Sequence, residues 1–400
     1  MSKENWWQRP DLGYRNGRLY FAEEDLESLG RSMGTPAFVY SLPRTLDKLE
    51  DLHDALDAVQ VPHTVFYALK ANRHPGLLNT LRSSSLCGVD ACSPNELRLA
   101  RQSGFQEREI TYTGTSVGNA DLDLLARMPG VQLNCDSLSS LKRLGDRAPG
   151  RSIGLRVNPQ LSASHMAHIS YAGETATKFG IYLDQLSDAI AIAEQYRLKI
   201  ETLHFHAASG YLNDELPLLA ALLARADAFL QRLPQVKNLD IGGGLGVPLR
   251  AGDDPLDLNA WAQLLADFVV PRGLHLQLEP GDYLVKDAGL LLVEVNTVEE
   301  KGGTLFVGVD AGFNLSNLHA YYQYPYIVAP LLESETPRRQ VTIAGNINEG
   351  IDTLAEGIEL PLPSEGDLLA IMNLGGYSAS SASNHCMRGD YQEILVAGNR

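Results

Sequence analysis

Cysteine is scarce in this chain, and the four present (Cys87, Cys92, Cys135, Cys386) lack the paired spacing with Cys or His that zinc sites use. Free or buried thiols in a reducing compartment follow from that scarcity. Positive charge is also short: 33 Lys and Arg stand against 49 Asp and Glu, a formal charge of −16. That balance argues against nucleic acid or an anionic membrane as the main partner, while a local site can still take an anionic small ligand. No apolar run reaches membrane-spanning length, and the opening Met-Ser-Lys-Glu-Asn-Trp-Trp has no apolar signal region, so a cytoplasmic protein is expected. A Gly-x-Gly-x-x-Gly turn after the first strand is missing, as are low-complexity tracts.

What is present is an alternation. Four hundred residues suggest two domains, or one large barrel plus an appendage. Residues 1–34 form an N-terminal segment with a strand-like piece near 17–21 and a polar helix near 23–32, expected to pack with the C-terminal part. Leucines 46, 49, 52 and 56 then recur at helical spacing over 44–58. Strand candidates follow at 64–68, 87–90, 110–113, 131–134, 153–157, 200–206, 237–241 and 274–278, separated by helical stretches. Ser93-Pro94-Asn95-Glu96 is a capping box with proline at the first helical position. Eight strands alternating with helices predict a (β/α)8 barrel over 35–289, an α/β fold of the TIM type. From 290 to 400 the strand-like runs lose their intervening helices, so a C-terminal all-β domain is predicted. The tyrosines at 321, 322, 324 and 326 read as core or as a subunit interface.

In a barrel of this kind, function sits at the carboxyl ends of the strands. Those ends are polar in this sequence: Lys70, Asp90, Thr113, Asp136, Arg156 and Asn158, His204 and His206, Gly242-Gly243-Gly244, and Glu279-Pro280-Gly281-Asp282. A lysine ending a buried strand usually reaches solvent. A strand-end lysine can also form an imine with a carbonyl group when its surroundings lower its pKa. Three glycines after a buried strand let backbone N–H groups converge on a phosphate. His206, beside Ser209, can stack on a ring and help hold its phosphate. Glu279 can keep a pyridine nitrogen protonated, which makes the ring an electron sink. These groups together are what pyridoxal 5′-phosphate requires.

The ordered motifs Tyr67-Ala-Leu-Lys-Ala-Asn72, Gly88-Val-Asp-Ala-Cys-Ser-Pro-Asn-Glu96, Arg156-Val-Asn-Pro159, Lys178-Phe-Gly-Ile181, His204-Phe-His206, Gly242-Gly-Gly244 and Glu279-Pro-Gly281 resemble the fold-type III pyridoxal-phosphate decarboxylases. Asp310-Ala-Gly312, Gly345-Asn-Ile-Asn-Glu-Gly-Ile-Asp352, Gly366-Asp367 and Gly375-Gly-Tyr377 continue the match through the C-terminal half. The diaminopimelate decarboxylase-like branch is the most similar. The resemblance implies that Lys70 carries the cofactor and Glu279 pairs with its ring nitrogen. His206 would stack on the ring, while Ser209, Gly242, Gly243, Gly244 and Tyr377 would hold the phosphate. Asp90, Pro280, Gly281 and Asp282 complete the expected cofactor site. It also implies a homodimer with shared sites, in which Glu349 crosses to contact the substrate.

The sequence departs from the family at informative places. Asn348 stands where the family has a cysteine that protonates Cα. Asp282 replaces the arginine of Glu-Pro-Gly-Arg, a further arginine expected between Asp310 and Tyr322 is missing, and Ala208 replaces the glycine before Ser209. Two cations are lost and one anion is gained, which disfavours diaminopimelate and its distal carboxylate. Asp282, Glu349 and Tyr377 are the expected substrate contacts. The expected activity is decarboxylation of an amino acid or modified amino acid, in siderophore or other natural-product synthesis. Racemisation by the same cofactor, and a non-catalytic relative, are the alternatives.

Overall fold

The computed structural model describes residues 5–164, 172, 173 and 175–398. The chain divides into two units: Lys48–Val247 with Asp254–Tyr283, and Met1–Asp47 with Pro248–Asp253 and Leu284–Arg400.

The first unit is a closed eight-stranded parallel barrel. Its strands in chain order are His63–Ala68, Gly88–Ala91, Ile110–Tyr112, Gln132–Cys135, Ser152–Arg156, Lys199–His204, Asn238–Asp240 and His275–Leu278. Each pairs with the next, and the eighth closes on the first through Leu276–His63, Gln277–Thr64 and Leu278–Val65. The strands are almost wholly buried, as a parallel sheet covered by helices requires. Several polar side chains inside the barrel pair with one another. Gln132 and Gln277 exchange amide hydrogen bonds (2.8 and 2.9 Å), and Asn134 Nδ2 donates to Thr113 Oγ1 (2.9 Å). The helix Pro94–Gln102 starts where the capping box placed it. Ser93 Oγ accepts from the Glu96 amide, and Glu96 Oε2 accepts from the Cys92 amide (2.9 Å). Among the described residues no helix is long and apolar enough to cross a membrane.

The second unit is built on one large sheet, in the order Val328–Pro330, Leu368–Met372, Gly289–Lys301, Thr304–Val309, Arg338–Ala344, Thr353–Pro361. Ala37–Ser41 pairs with Gly289–Lys301 on one side and Gln392–Val396 on the other. The boundary read from sequence therefore moves: residues 35–47, assigned there to the barrel, belong to this unit, which also begins again at Leu284 rather than 290. All five residues of Ala37–Ser41 are buried, so the run has the same unbroken apolar signature as a barrel strand. Trp7, Leu12, Leu19, Phe21 and Leu26 share a core with Leu290, Leu292, Leu368, Ala370 and Met372.

Candidate active site

At the carboxyl end of the first strand, the chain turns sharply, and the turn is held from three directions. The Leu69 amide donates to the Asp90 carbonyl (3.0 Å), the Ala68 amide to the Pro280 carbonyl (3.2 Å), and the buried Tyr67 hydroxyl to the Asn72 carbonyl (2.9 Å). The turn presents Lys70, whose Nζ lies 3.0 Å from Asp90 Oδ2. Lys70 is half-exposed and Asp90 is buried. Burial, then the nearby Glu279 charge, push the Asp90 carboxyl up to about 7 against the pull of Lys70.

The sixth strand delivers two histidines of different fate. His204 is buried, and its Nε2 lies 3.2 Å from Glu279 Oε2. Burial pushes this ring below its ordinary pKa against the pull of the Glu279 carboxylate, to which Nε2–H donates. His206 Nδ1 accepts the Gly243 amide at 3.3 Å. Burial first, then the Lys70 and Arg156 charges, hold His206 down at about 3. Ser209 lies in a two-residue parallel pairing with Ser164.

The three glycines after the seventh strand are required by close approach. A side chain on Gly242 (φ +68°) would meet His206 Nδ1 at 2.6 Å, and one on Gly243 would strike the Glu279 carbonyl oxygen. At Gly244 (φ +98°) the Ala208 methyl already occupies the space, 2.8 Å from where a Cβ would stand. The Glu279 amide donates to the Gly242 carbonyl (2.8 Å), which ties the loop to the end of the eighth strand. Burial opposes ionisation of Glu279, but the His204 charge and hydrogen bond, and then the Lys70 charge, hold its carboxyl at about 2. Its second oxygen, Oε1, is buried with no hydrogen-bond partner among the described residues. Asp282 opens the short helix Asp282–Val285 directly after Pro280 and Gly281.

The barrel therefore gathers Lys70, Asp90, His206, Gly242, Gly243, Gly244 and Glu279 in one network. Glu349 and Tyr377 belong to the other unit. There, Glu349 Oε1 lies 3.1 Å from His385 Nε2, and the His385 ring leans on Phe313 with centroids 5.7 Å apart. Tyr377 has a left-handed backbone (φ 57°), and its carbonyl accepts from Ser381 Oγ (2.6 Å). Asp240, two residues before the first glycine, has no role assigned from sequence. It is fully buried, and its Oδ1 accepts from the Gly242 amide (2.9 Å).

The pyridoxal binding domain of pyridoxal-dependent decarboxylases matches residues 46–286. The chain belongs to the pyridoxal-dependent decarboxylase family. Within it, the chain falls in the diaminopimelate decarboxylase-like branch. It is 35% identical to the diaminopimelate decarboxylase of Methanothermobacter thermautotrophicus, covering 97% of this chain and 92% of the relative. It is 32% identical to that of Pseudomonas fluorescens, covering 97% and 94%. A crystal structure from Aquifex aeolicus aligns over 98% of this chain and 94% of its own, with 27% identity and a TM-score of 0.86. Diaminopimelate decarboxylase from M. jannaschii, at 24% identity and a TM-score of 0.88 over 96% and 92% of the two chains, shares the fold. Membership makes the chain a pyridoxal-phosphate-dependent amino-acid decarboxylase.

Proposed function

We propose that this decarboxylase acts on an amino acid other than diaminopimelate, one that presents a cation or hydroxyls, rather than a carboxylate, at its distal end. The observation that carries this reading is Asp282, an acid opening the helix that follows Glu279-Pro280-Gly281, where the family has arginine. An arginine there would pair with a carboxylate; an aspartate repels it and favours a donor. The curated relatives are named for diaminopimelate; the substrate would be where this chain parts from them.

The barrel residues fit the cofactor. Lys70 would hold its carbonyl carbon, and Asp90, 3.0 Å away, fixes the amine's position. The open loop at Gly242–Gly244, with Ser209, would take the phosphate, aided by Tyr377. His206, kept neutral, would lie against the ring, and the unmatched Glu279 Oε1 would take the ring N–H. Bound there, pyridoxal phosphate supplies a sink for the electron pair left on Cα when the carboxylate departs as CO2. Lys70, displaced by the substrate amine, would help return a proton to Cα. Glu349 would contact the substrate from the partner of a homodimer. Exposed Tyr321, Tyr322, Ile351 and Met387 in its unit support such a face. Asn348, in place of the family's acid, is the ground for weighing racemisation as a second outcome.

The test is CO2 release and chiral product analysis over diaminopimelate, lysine, ornithine and hydroxylated or acylated amino acids, for the parent and Asp282→Arg. The parent should prefer a substrate without a distal carboxylate, and the variant should shift preference toward diaminopimelate. Highest kcat/KM on diaminopimelate in the parent refutes the reading. Inversion without CO2 release favours the racemase.

A further inference from the structure

Asp240 ends the seventh strand and has no part in the chemistry above. Its Oδ1 turns back to accept the amide of Gly242, the first glycine of the loop, at 2.9 Å. Its Oδ2 is buried without a hydrogen-bond partner among the described residues, as is Glu279 Oε1. The side chains of Asp240, Glu279 and His204 each offer an atom within 4.8 Å of the other two. Two neighbouring buried carboxyls do not both ionise without a large desolvation and repulsion cost, so a proton must sit on one of them. Donors decide which. Glu279 receives the His204 Nε2–H (3.2 Å) and has Lys70 as a nearby cation, whereas Asp240 receives one neutral amide. Burial and the Glu279 charge, with Asp90 adding to it, push the Asp240 carboxyl well above the ordinary carboxylate range.

We infer that Asp240 is a positioning residue that carries a proton at neutral pH, donating its hydroxyl to the Glu279 carboxylate while its other oxygen holds the Gly242 amide. One side chain thus links the two places where the site grips its cofactor, the ring-nitrogen carboxylate and the phosphate loop. The inference rests on the reading that Glu279 and the glycines serve those two ends.

A neutral, hydrogen-bonding isostere should replace this residue. Asp240→Asn retains an acceptor for Gly242 and a donor for Glu279; Asp240→Ala retains neither. Infrared difference spectra of the cofactor-free protein, parent minus Asp240→Asn at neutral pH, should show the carbonyl band of a protonated carboxyl. Pyridoxal phosphate titration should give Asp240→Asn an affinity within about threefold of the parent and Asp240→Ala a loss of about tenfold or more. Asn fills the same space as Asp, so the carboxyl band, and not the affinity alone, is what a merely space-filling role would not produce. The inference is overturned if the band is absent or if Asp240→Asn loses affinity as Asp240→Ala does. It is also overturned if the purified protein holds a stoichiometric metal ion that Asp240→Asn releases. Should the parent bind no cofactor, the reading of the site fails, while the infrared band still decides where the proton lies. If Asp240→Ala does not fold, the spectrum and the Asn variant decide it alone.

Discussion

Replacing Gly243 by alanine isolates the contact between the glycine loop and the turn carrying Glu279. The backbone of Gly243 is not in the left-handed region, so the added methyl brings no torsional penalty. It brings a collision: the new Cβ would overlap the Glu279 carbonyl oxygen and stand 3.1 Å from its carbonyl carbon and 3.4 Å from Pro280 Cα. All of these are backbone atoms, so no side chain can swing aside. The ends of the seventh and eighth strands must separate, at an overpacking cost of about 1–3 kcal/mol. The two groups driven apart are the phosphate loop and the carboxylate for the ring nitrogen, so the same displacement should appear in cofactor binding. At about 1.4 kcal/mol per factor of ten, pyridoxal phosphate affinity should fall by about 5- to 150-fold. Fluorescence titration of cofactor-free protein measures this, and thermal melting of the same samples measures the stability cost. Gly252, which has no atom within 4 Å of an added Cβ, provides the matched control. Gly243→Ala with parental affinity and melting temperature would refute the close-approach reasoning.

Asp90→Asn tests the buried acid beside Lys70. Its native pKa is raised to about 7, above an unfolded value of about 3.9, so between these limits the native state holds a proton that the unfolded state has released. Stability of the cofactor-free parent should therefore decline as pH rises through that window. Denaturation at pH 5 and pH 8 should show the variant gaining on the parent by up to about 1.4 kcal/mol per pH unit; a constant difference contradicts the shift. At the opposite end of the barrel, buried Arg151 donates to the carbonyls of Leu125, Met128 (3.0 Å) and Val131 (2.7 Å). Arg151→Ala leaves these acceptors short and should cost at least about 2 kcal/mol in chemical denaturation, with cofactor affinity per folded molecule unchanged. A loss of affinity without a loss of stability would contradict this purely structural role.

The barrel was legible because its strands are short apolar runs at regular spacing, each ending in a polar residue. The pattern also misled at Ala37–Ser41, where burial on both faces has a different origin: Gly289–Lys301 and Gln392–Val396 flank the strand. In the β domain, Thr353–Pro361 has a weak strand signature, because Gly357 (φ +63°) breaks its alternation and its register against Arg338–Ala344 shifts. The four tyrosines divide, with Tyr324 and Tyr326 buried and Tyr321 and Tyr322 exposed. In the site, Lys70, Glu279 and the glycines declared themselves by residue type and place at strand ends. Asp240 did not, although it stands in the same motif. That its side chain meets Glu279 and His204 follows from the register of the sixth, seventh and eighth strands, which pair His204 with Asp240 and Asp240 with Gln277. Local sequence contains no record of that register.

Attachment of the cofactor rests on one amine, that of Lys70. Borohydride reduction of the cofactor-loaded protein, followed by peptide mass mapping, asks directly which side chain holds the cofactor. The expected result is a single modified peptide, the one carrying Lys70, lost in Lys70→Ala together with the visible absorbance. Retention of the cofactor mass on a different lysine, or a modified peptide that persists in Lys70→Ala, would contradict it.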